Sequence, residues 1–311
     1  MGWTALWALV LASASCAPPA SSGDCLNNDT PSTGVDGGIQ CDLPFDPREP
    51  DGSDGRFAIK VVQYIHVNAA GIVETDTIGS AIGYADLSYD PSTGNGVMSL
   101  KMCDLIVPKV EIPGQPLPSI FTVRRDTLEL VAPAVAAFTL DAERTCATFT
   151  TDPAVVLVAA RLSDTLLDPL PTDADSQTCP SPEALNCLYD VDLDSKPAAT
   201  VGAENVPGLE VDELYATLRA WVAFDGLVGR DDLLLGVATF GLDLAVVGCR
   251  IEPLGGGEKR SCNATEVDVM TQVTPTFEQT VGMESSFQAV RVSPDIDCPT
   301  VNANAHEIFG R

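Results

Sequence analysis

Three carboxylates at alternate positions are the clearest chemical feature of this sequence. Asp190, Asp192 and Asp194 have the spacing of the first, third and fifth ligands of a calcium-binding loop. This spacing places carboxylate oxygens on one side of a tight loop, as a hard cation requires. Ser195 replaces the turn glycine of an EF-hand loop, and Val201 replaces its bidentate glutamate. The segment predicts a weak calcium site, with a solvated acidic loop as the alternative.

The same carboxylates end a strongly acidic segment, residues 164–196. Before Lys196 this segment contains eight acids and no base: Asp164, Asp168, Asp173, Asp175, Glu183, Asp190, Asp192 and Asp194. Because like charges repel when they are crowded, a divalent cation would relieve the repulsion as well as cross-link the loop. Calcium is therefore the one cofactor that the sequence predicts.

Residue patterns of known catalytic sites are nearly absent. The sequence has no G-x-S-x-G, H-E-x-x-H or P-loop pattern. Its two histidines are His66, which ends an apolar strand-like segment, and His306, which lies near the C-terminus. Enzyme function is therefore disfavoured, and we predict no catalytic residue. A hydrolase that uses carboxylates as acid and base remains an alternative, because Asp and Glu are plentiful.

The charge balance excludes one large class of partner. The chain of 311 residues has 17 Lys and Arg against 44 Asp and Glu, a formal net charge of −27. Nucleic acid is therefore a poor partner, since no basic stripe is present to neutralise phosphates. An anionic membrane surface would also repel the chain unless a covalent anchor intervenes. Hydrophobic residues make up 45% of the sequence, enough to form a core.

The first sixteen residues have the layout of an export signal. An apolar stretch, Trp3 to Leu11, is too short to span a bilayer and is followed by small residues. Ser13-Ala14-Ser15-Cys16 resembles the lipobox of bacterial lipoproteins. The resemblance implies that Cys16 is lipidated and becomes the N-terminus, anchoring the protein at the outer membrane or cell surface. Ordinary cleavage after Ala14 and free secretion are the alternative.

Composition divides the chain into three parts. Residues 1–15 are the export signal, and residues 16–56 are a flexible, acidic tether rich in Gly, Pro and Ser. Residues 57–311 are the β domain, with the acidic insert at 164–196. Contact with a membrane is expected only through the N-terminal lipid.

Ten cysteines indicate an oxidising compartment. Cys249 and Cys262 stand symmetrically about the glycine turn at 255–257, which predicts a disulfide across a hairpin. The other predicted pairs are Cys179 with Cys187, Cys103 with Cys146, and Cys25 with Cys41. If Cys16 is lipidated, nine cysteines remain, and Cys298 is then the candidate for the unpaired one.

Alternation of apolar and polar residues predicts an all-β fold. From Phe57 to Val67 one face is apolar with Gln63 as its single exception, and similar runs recur between turn signals along the chain. We therefore predict an antiparallel sandwich or barrel. Short segments of the sequence resemble each other, such as those that follow Cys103 and Cys249. This similarity predicts two related β halves.

The leading functional hypothesis is an exported, lipid-anchored, non-enzymatic protein that serves in binding, adhesion or envelope structure. The first alternative is a lipocalin-like carrier of an apolar ligand, for which small inward residues such as Ala81, Gly83 and Ala85 would make room. The second alternative is the carboxylate-dependent hydrolase. An apolar cavity would favour the carrier, whereas two carboxylates facing each other across a cleft would favour the hydrolase.

Overall fold

This computed structural model describes residues 55–69, 73–107, 109–111, 116–141, 147–205, 211–230, 233–252 and 258–310. The predicted export signal and nearly all of the predicted tether lie outside these ranges. Cys16, Cys25, Cys41 and Cys146 lie outside them too, so the lipidation of Cys16 and the Cys25–Cys41 bond stay predictions. Within the described ranges, no helix has the length and apolar character needed to cross a membrane.

The described chain is mostly antiparallel β structure, which confirms the predicted fold class. The strands are β1 (Gly55–Ala69), β2 (Val73–Asp90), β3 (Asn95–Ile106), β4 (Ile120–Val123), β5 (Ala134–Asp141), β6 (Thr148–Thr151), β7 (Ala154–Val158), β8 (Ala160–Arg161), β9 (Cys187–Leu188), β10 (Ala199–Glu204), β11 (Val211–Arg230), β12 (Leu233–Ile251), β13 (Arg260–Ser261), β14 (Thr276–Gln279) and β15 (Ser285–Val292). The helices are α1 (Arg125–Leu130), α2 (Ala174–Gln177), α3 (Ala264–Val273) and α4 (Cys298–Phe309).

Strand pairing forms a closed ring. β1 pairs with β2, β2 with β3, β3 with β5 and β5 with β6. β6 pairs with β11, β11 with β12 and β12 with β15, which returns to β1. Of the sandwich and the barrel that the sequence leaves open, the pairing therefore corresponds to the barrel. We call this ring the closed sheet and its interior the lumen.

Alternating side chains separate the lumen from the outer face. β5 alternates strictly between buried and exposed residues, and β7 alternates between buried and half-buried ones. In β1 the inward positions include Phe57, Ile59, Val61 and Ile65, all nearly fully buried. This is the period of two that the sequence pattern predicts, because successive strand residues point to opposite faces.

Three disulfides hold the described part of the chain together. Cys249 is bonded to Cys262 and Cys179 to Cys187, the two short-range pairs that the sequence predicts. Next to the Cys249–Cys262 bond, Arg250 of β12 lies opposite Ser261 of β13, which is the strand register of the predicted hairpin.

The third disulfide corrects the sequence analysis. Cys103 is bonded to Cys298 with a Cα–Cα distance of 5.0 Å, so its predicted bond to Cys146 is wrong. Cys298 is also not the unpaired cysteine. The physical reason is tertiary: α4 begins beside β3, where Asn302 Nδ2 donates to the Cys103 carbonyl at 3.2 Å. Cys103 and Cys249, which precede the similar short segments, both lie near the ends of long strands, β3 and β12. That the two halves of the domain are related stays a prediction.

The acidic insert lies against the outer face of the closed sheet. Arg219 Nη1 donates to the carbonyls of Thr165 and Asp168, at 3.3 and 2.8 Å. Thr217, which is fully buried, donates its hydroxyl to the carbonyl of Pro171 at 3.0 Å. Both anchoring side chains belong to β11 and point away from the lumen, so β11 positions the insert as well as the core.

Candidate functional site

An apolar cavity lies in the lumen between two walls of the closed sheet. The first wall belongs to β1, β2 and β3 and includes Ile59, Val61, Ile65, Ala81, Leu100 and Met102. The second wall belongs to β11 and β12, with β7 paired to β11 beside them, and includes Ala154, Val156, Ala220, Val222, Phe240 and Leu242. Several of these inward side chains, among them Met102 and Leu242, are only half-buried although they pack against the core. The lumen is therefore incompletely filled here.

Small residues on both walls make this space. Ala81 and Gly83 line the cavity, as the carrier alternative requires, whereas Ala85 is fully buried outside the lining. On the opposite wall Ala220 has the same effect, because it faces the lumen with a single methyl group. The sequence analysis missed Ala220. The sequence feature that could have indicated it is an alanine at an inward position of a strand whose other inward residues are mostly larger.

Aromatic rings close the lumen beyond one end of the cavity. The ring centroids of Phe224 and Phe287 are 4.6 Å apart, and Phe138 and Phe149 are 5.3 Å apart. Phe149 in turn lies 6.5 Å from Phe287, so the rings form one connected cluster. Such tilted contacts are favourable geometries for aromatic pairs. Phe224 belongs to this cluster and also lines the cavity, so it forms the boundary between filled and open lumen.

The cavity lining contains very few polar side chains. Gln63 and Trp221 are the lining residues whose side chains have nitrogen or oxygen atoms. Gln63 is the polar exception that the sequence shows on the inward face of β1. The Trp221 ring lies against Gly241, where any Cβ would come within 2.2 Å of the indole nitrogen.

Catalytic groups do not meet in the cavity. Among the described residues, no Asp, Glu, His, Lys, Arg or Cys lines it. His66 Nδ1 lies 3.0 Å from Asp76 Oδ1, with both side chains more than one third exposed. His306 is exposed on α4. The two facing carboxylates that would favour the hydrolase alternative are therefore not present in this cavity.

Asp190, Asp192 and Asp194 converge, as the sequence spacing predicts. One carboxylate oxygen from each residue can be chosen so that all three lie within 4.8 Å of one another. Backbone N–H groups hold the carboxylates in place: Ser195 donates to Asp190 Oδ2 and Thr200 to Asp192 Oδ2, both at 2.9 Å. The loop therefore fixes the positions of its oxygens before any ligand arrives.

Two oxygens in this cluster have no partner within the described chain. Asp190 Oδ1 and Asp192 Oδ1 are both buried from solvent and accept no hydrogen bond. Burial raises the pKa of the Asp192 carboxyl, and the neighbouring Asp194 carboxylate raises it further. A buried carboxylate oxygen without a donor costs free energy, which a bound cation would offset.

Backbone geometry explains how the loop turns without the EF-hand glycine. Ser195, at the position of that glycine, has a φ of 68°, in the left-handed region that glycine prefers. Leu193, with a φ of 58°, adopts the same region. Val201 stands at the position of the bidentate glutamate, but it is a buried residue of β10 that pairs with Leu214. No twelfth-position ligand is therefore available.

No known family model and no curated protein matches this chain. The fold and the two sites define an all-β protein with a disulfide-braced closed sheet, an apolar lumen cavity and an acidic loop.

Proposed function

We propose that this protein is an exported, lipid-anchored carrier that holds an apolar ligand in the lumen of its closed sheet. The observation that carries the proposal is the cavity lined by Ala81, Gly83 and Ala220 and by aliphatic side chains of both walls. Binding pockets for small molecules are concave, mostly apolar and lined by few polar groups, and this cavity shares those features at a small volume of about 60 Å³. A bound ligand must therefore be slender or must push the half-buried Met102 and Leu242 aside.

The carrier was an alternative in the sequence analysis, and the leading hypothesis of a binding, adhesion or envelope-structural role receives less support from this geometry. A purely structural protein gains stability from a filled core, because each void forfeits dispersion contacts and apolar burial. The half-buried Met102 and Leu242 reduce that stabilisation. A ligand that fills the space between the walls would restore it.

Export is supported by the disulfides. Cys103–Cys298, Cys179–Cys187 and Cys249–Cys262 indicate an oxidising, non-cytoplasmic compartment, because the cytosol keeps thiols reduced. The lipid anchor rests on the resemblance of residues 13–16 to a lipobox. A tethered carrier would keep its ligand near a membrane, which is a reservoir of apolar molecules.

The carrier is tested by binding of a neutral fluorescent probe, N-phenylnaphthylamine, whose emission rises in apolar surroundings. The parent protein is expected to bind it saturably. Ala220→Phe places a ring in the cavity and is expected to abolish saturable binding. Ala223→Phe is the matched control, because Ala223 lies on the outer face of the same strand. Equal binding by the parent and Ala220→Phe would contradict the proposal.

The Asp190, Asp192 and Asp194 loop is proposed as a structural calcium site. Its support is the pair of buried oxygens without a partner, Asp190 Oδ1 and Asp192 Oδ1. Because the twelfth-position carboxylate is missing, modest affinity is expected, near the millimolar range of extracellular modules.

Thermal unfolding with millimolar calcium against chelator tests this site. A bound ion stabilises the native state by mass action, so calcium should raise the Tm of the parent and raise that of Asp192→Asn less. Glu183→Gln, at an exposed acid of the same insert, is the control and should respond like the parent. Equal Tm values of the parent with and without calcium would leave a solvated acidic loop.

A further inference from the structure

Gln63 gives the cavity a single polar group within the first wall. It lies on β1 between Val61 and Ile65 and faces Gly79 across the β1–β2 pair. Its side-chain oxygen is 3.5 Å from where a Cβ at Gly79 would stand, and such a Cβ would also lie only 2.7 Å from Ile65 Cδ1. Glycine at position 79 therefore leaves space for the amide beside the aliphatic lining.

The Gln63 amide makes no hydrogen bond to any residue that the structure describes, and solvent still reaches it because the side chain is only half-buried. A ligand that covers this amide would remove the water from it, which costs free energy unless the ligand supplies a hydrogen bond in its place. A ligand group that hydrogen-bonds at this point would recover the cost. The amide has both donors and an acceptor, so it suits a hydroxyl or carbonyl group.

Charge restricts the ligand further. No cationic side chain lines the described cavity, and the whole chain has a formal net charge of −27. A carboxylate or phosphate head group would therefore be desolvated without a counter-charge, against a repulsive long-range field. An uncharged head group avoids both costs.

We propose that the cavity binds a neutral amphiphile with one alkyl chain, whose hydroxyl or carbonyl group hydrogen-bonds to Gln63 while the chain lies along the aliphatic walls. This inference rests on the proposed carrier function and names the chemical class of its ligand. The lining follows β1 from Ile59 to Ile65, seven residues with a rise of about 20 Å, whereas the cavity volume is only about 60 Å³. A single slender chain suits so small a space along this wall better than a bulky ligand does.

Competition against N-phenylnaphthylamine with decanol, decanoate and decane tests the proposal on the parent protein at neutral pH. Decanol is expected to compete best, because decanoate is ionised and decane has no head group. Gln63→Leu should lower the affinity for decanol about twofold to tenfold, the range for one hydrogen bond. The same variant should raise the affinity for decane, which covers the parent's amide without pairing it. Gln288→Leu, on the outer face of β15, is the matched control and should change neither.

A second variant tests the position of the head group by a gain of binding. Gln63→Lys places a cation at the same point and should make decanoate the better competitor. If decanoate equals decanol on the parent, or if Gln63→Leu leaves decanol binding unchanged, the inference is overturned. If decanoate gains nothing from Gln63→Lys, the head group does not lie at Gln63. Failure of all three ligands to compete would instead overturn the carrier function itself.

Discussion

Cys298, the first residue of α4, is bonded to Cys103 near the end of β3, 195 residues earlier in the chain. The same junction is reinforced by Asn302, which donates to the Cys103 carbonyl, and by Val301, which is fully buried. Cys179 and Cys187, by contrast, are only 8 residues apart in the acidic insert. These two bonds therefore constrain the unfolded chain to very different extents.

Removing the long-range disulfide is expected to destabilise the protein more than removing the short one. In the chain-entropy account, replacing Cys103 and Cys298 by Ala costs up to about 5 kcal/mol, because the closed loop is long. Replacing Cys179 and Cys187 by Ala costs about 2.5 kcal/mol on the same scale. Urea unfolding of the two double variants measures the difference. Equal losses would show that effects in the folded state outweigh the loop entropy.

Acid is expected to weaken the start of α3. Arg260 and the Asn263 N–H lower the pKa of the Glu266 carboxyl to about 2, from an ordinary value of 4.5. A lowered pKa in the folded state contributes stability that is present above the ordinary value and is lost as the pH falls towards 2.

Glu266→Gln tests this titration, because it removes the ionisable group but keeps a side-chain oxygen that can accept from Asn263. Unfolding free energies measured between about pH 4.5 and 2 should fall less steeply for Glu266→Gln than for the parent. Asp268→Asn, at an exposed acid of the same helix, is the control. A parallel fall in the parent and in Glu266→Gln would contradict the expectation.

Phe224 is expected to be important for the stability of the closed sheet. Its ring is buried at the boundary of the cavity, 4.6 Å from that of Phe287. Phe224→Ala should cost about 3–5 kcal/mol, because it removes aromatic burial and enlarges a space that is already open. Val281→Ala, at a side chain that is 98% exposed, should cost less than about 0.5 kcal/mol. Urea unfolding compares them, and a small loss for Phe224→Ala would indicate that the walls collapse onto the space.

Mass spectrometry of the native mature protein checks the N-terminus. The lipobox resemblance predicts that the chain begins at Cys16 and carries acyl groups. Cys16→Ser should therefore carry no acyl groups. An unmodified N-terminus at Ser15 in the native protein would show that it is freely secreted.

Local patterns were enough to predict much of this structure. The alternation from Phe57 to Val67 predicts a strand with one apolar face, since neighbouring side chains of a strand point to opposite sides. Symmetry about a glycine turn predicts the register of Cys249 and Cys262. The spacing of Asp190, Asp192 and Asp194 likewise predicts that their oxygens converge. In each case the groups involved are close in sequence, so backbone geometry alone determines their relation.

Long-range relations depended on the tertiary structure. The return of β15 to β1, the Cys103–Cys298 bond and the placement of Ala81 opposite the wall that contains Ala220 join residues far apart in sequence. Alternation specifies that a side chain points inward, but it does not specify which strand faces it. The entropy of closing a loop also changes only slowly with loop length, so sequence distance hardly distinguishes Cys146 from Cys298 as a partner for Cys103. The sequence by itself therefore determined strands, their inward faces and local turns, whereas only the packing of the closed sheet decided which walls enclose the cavity.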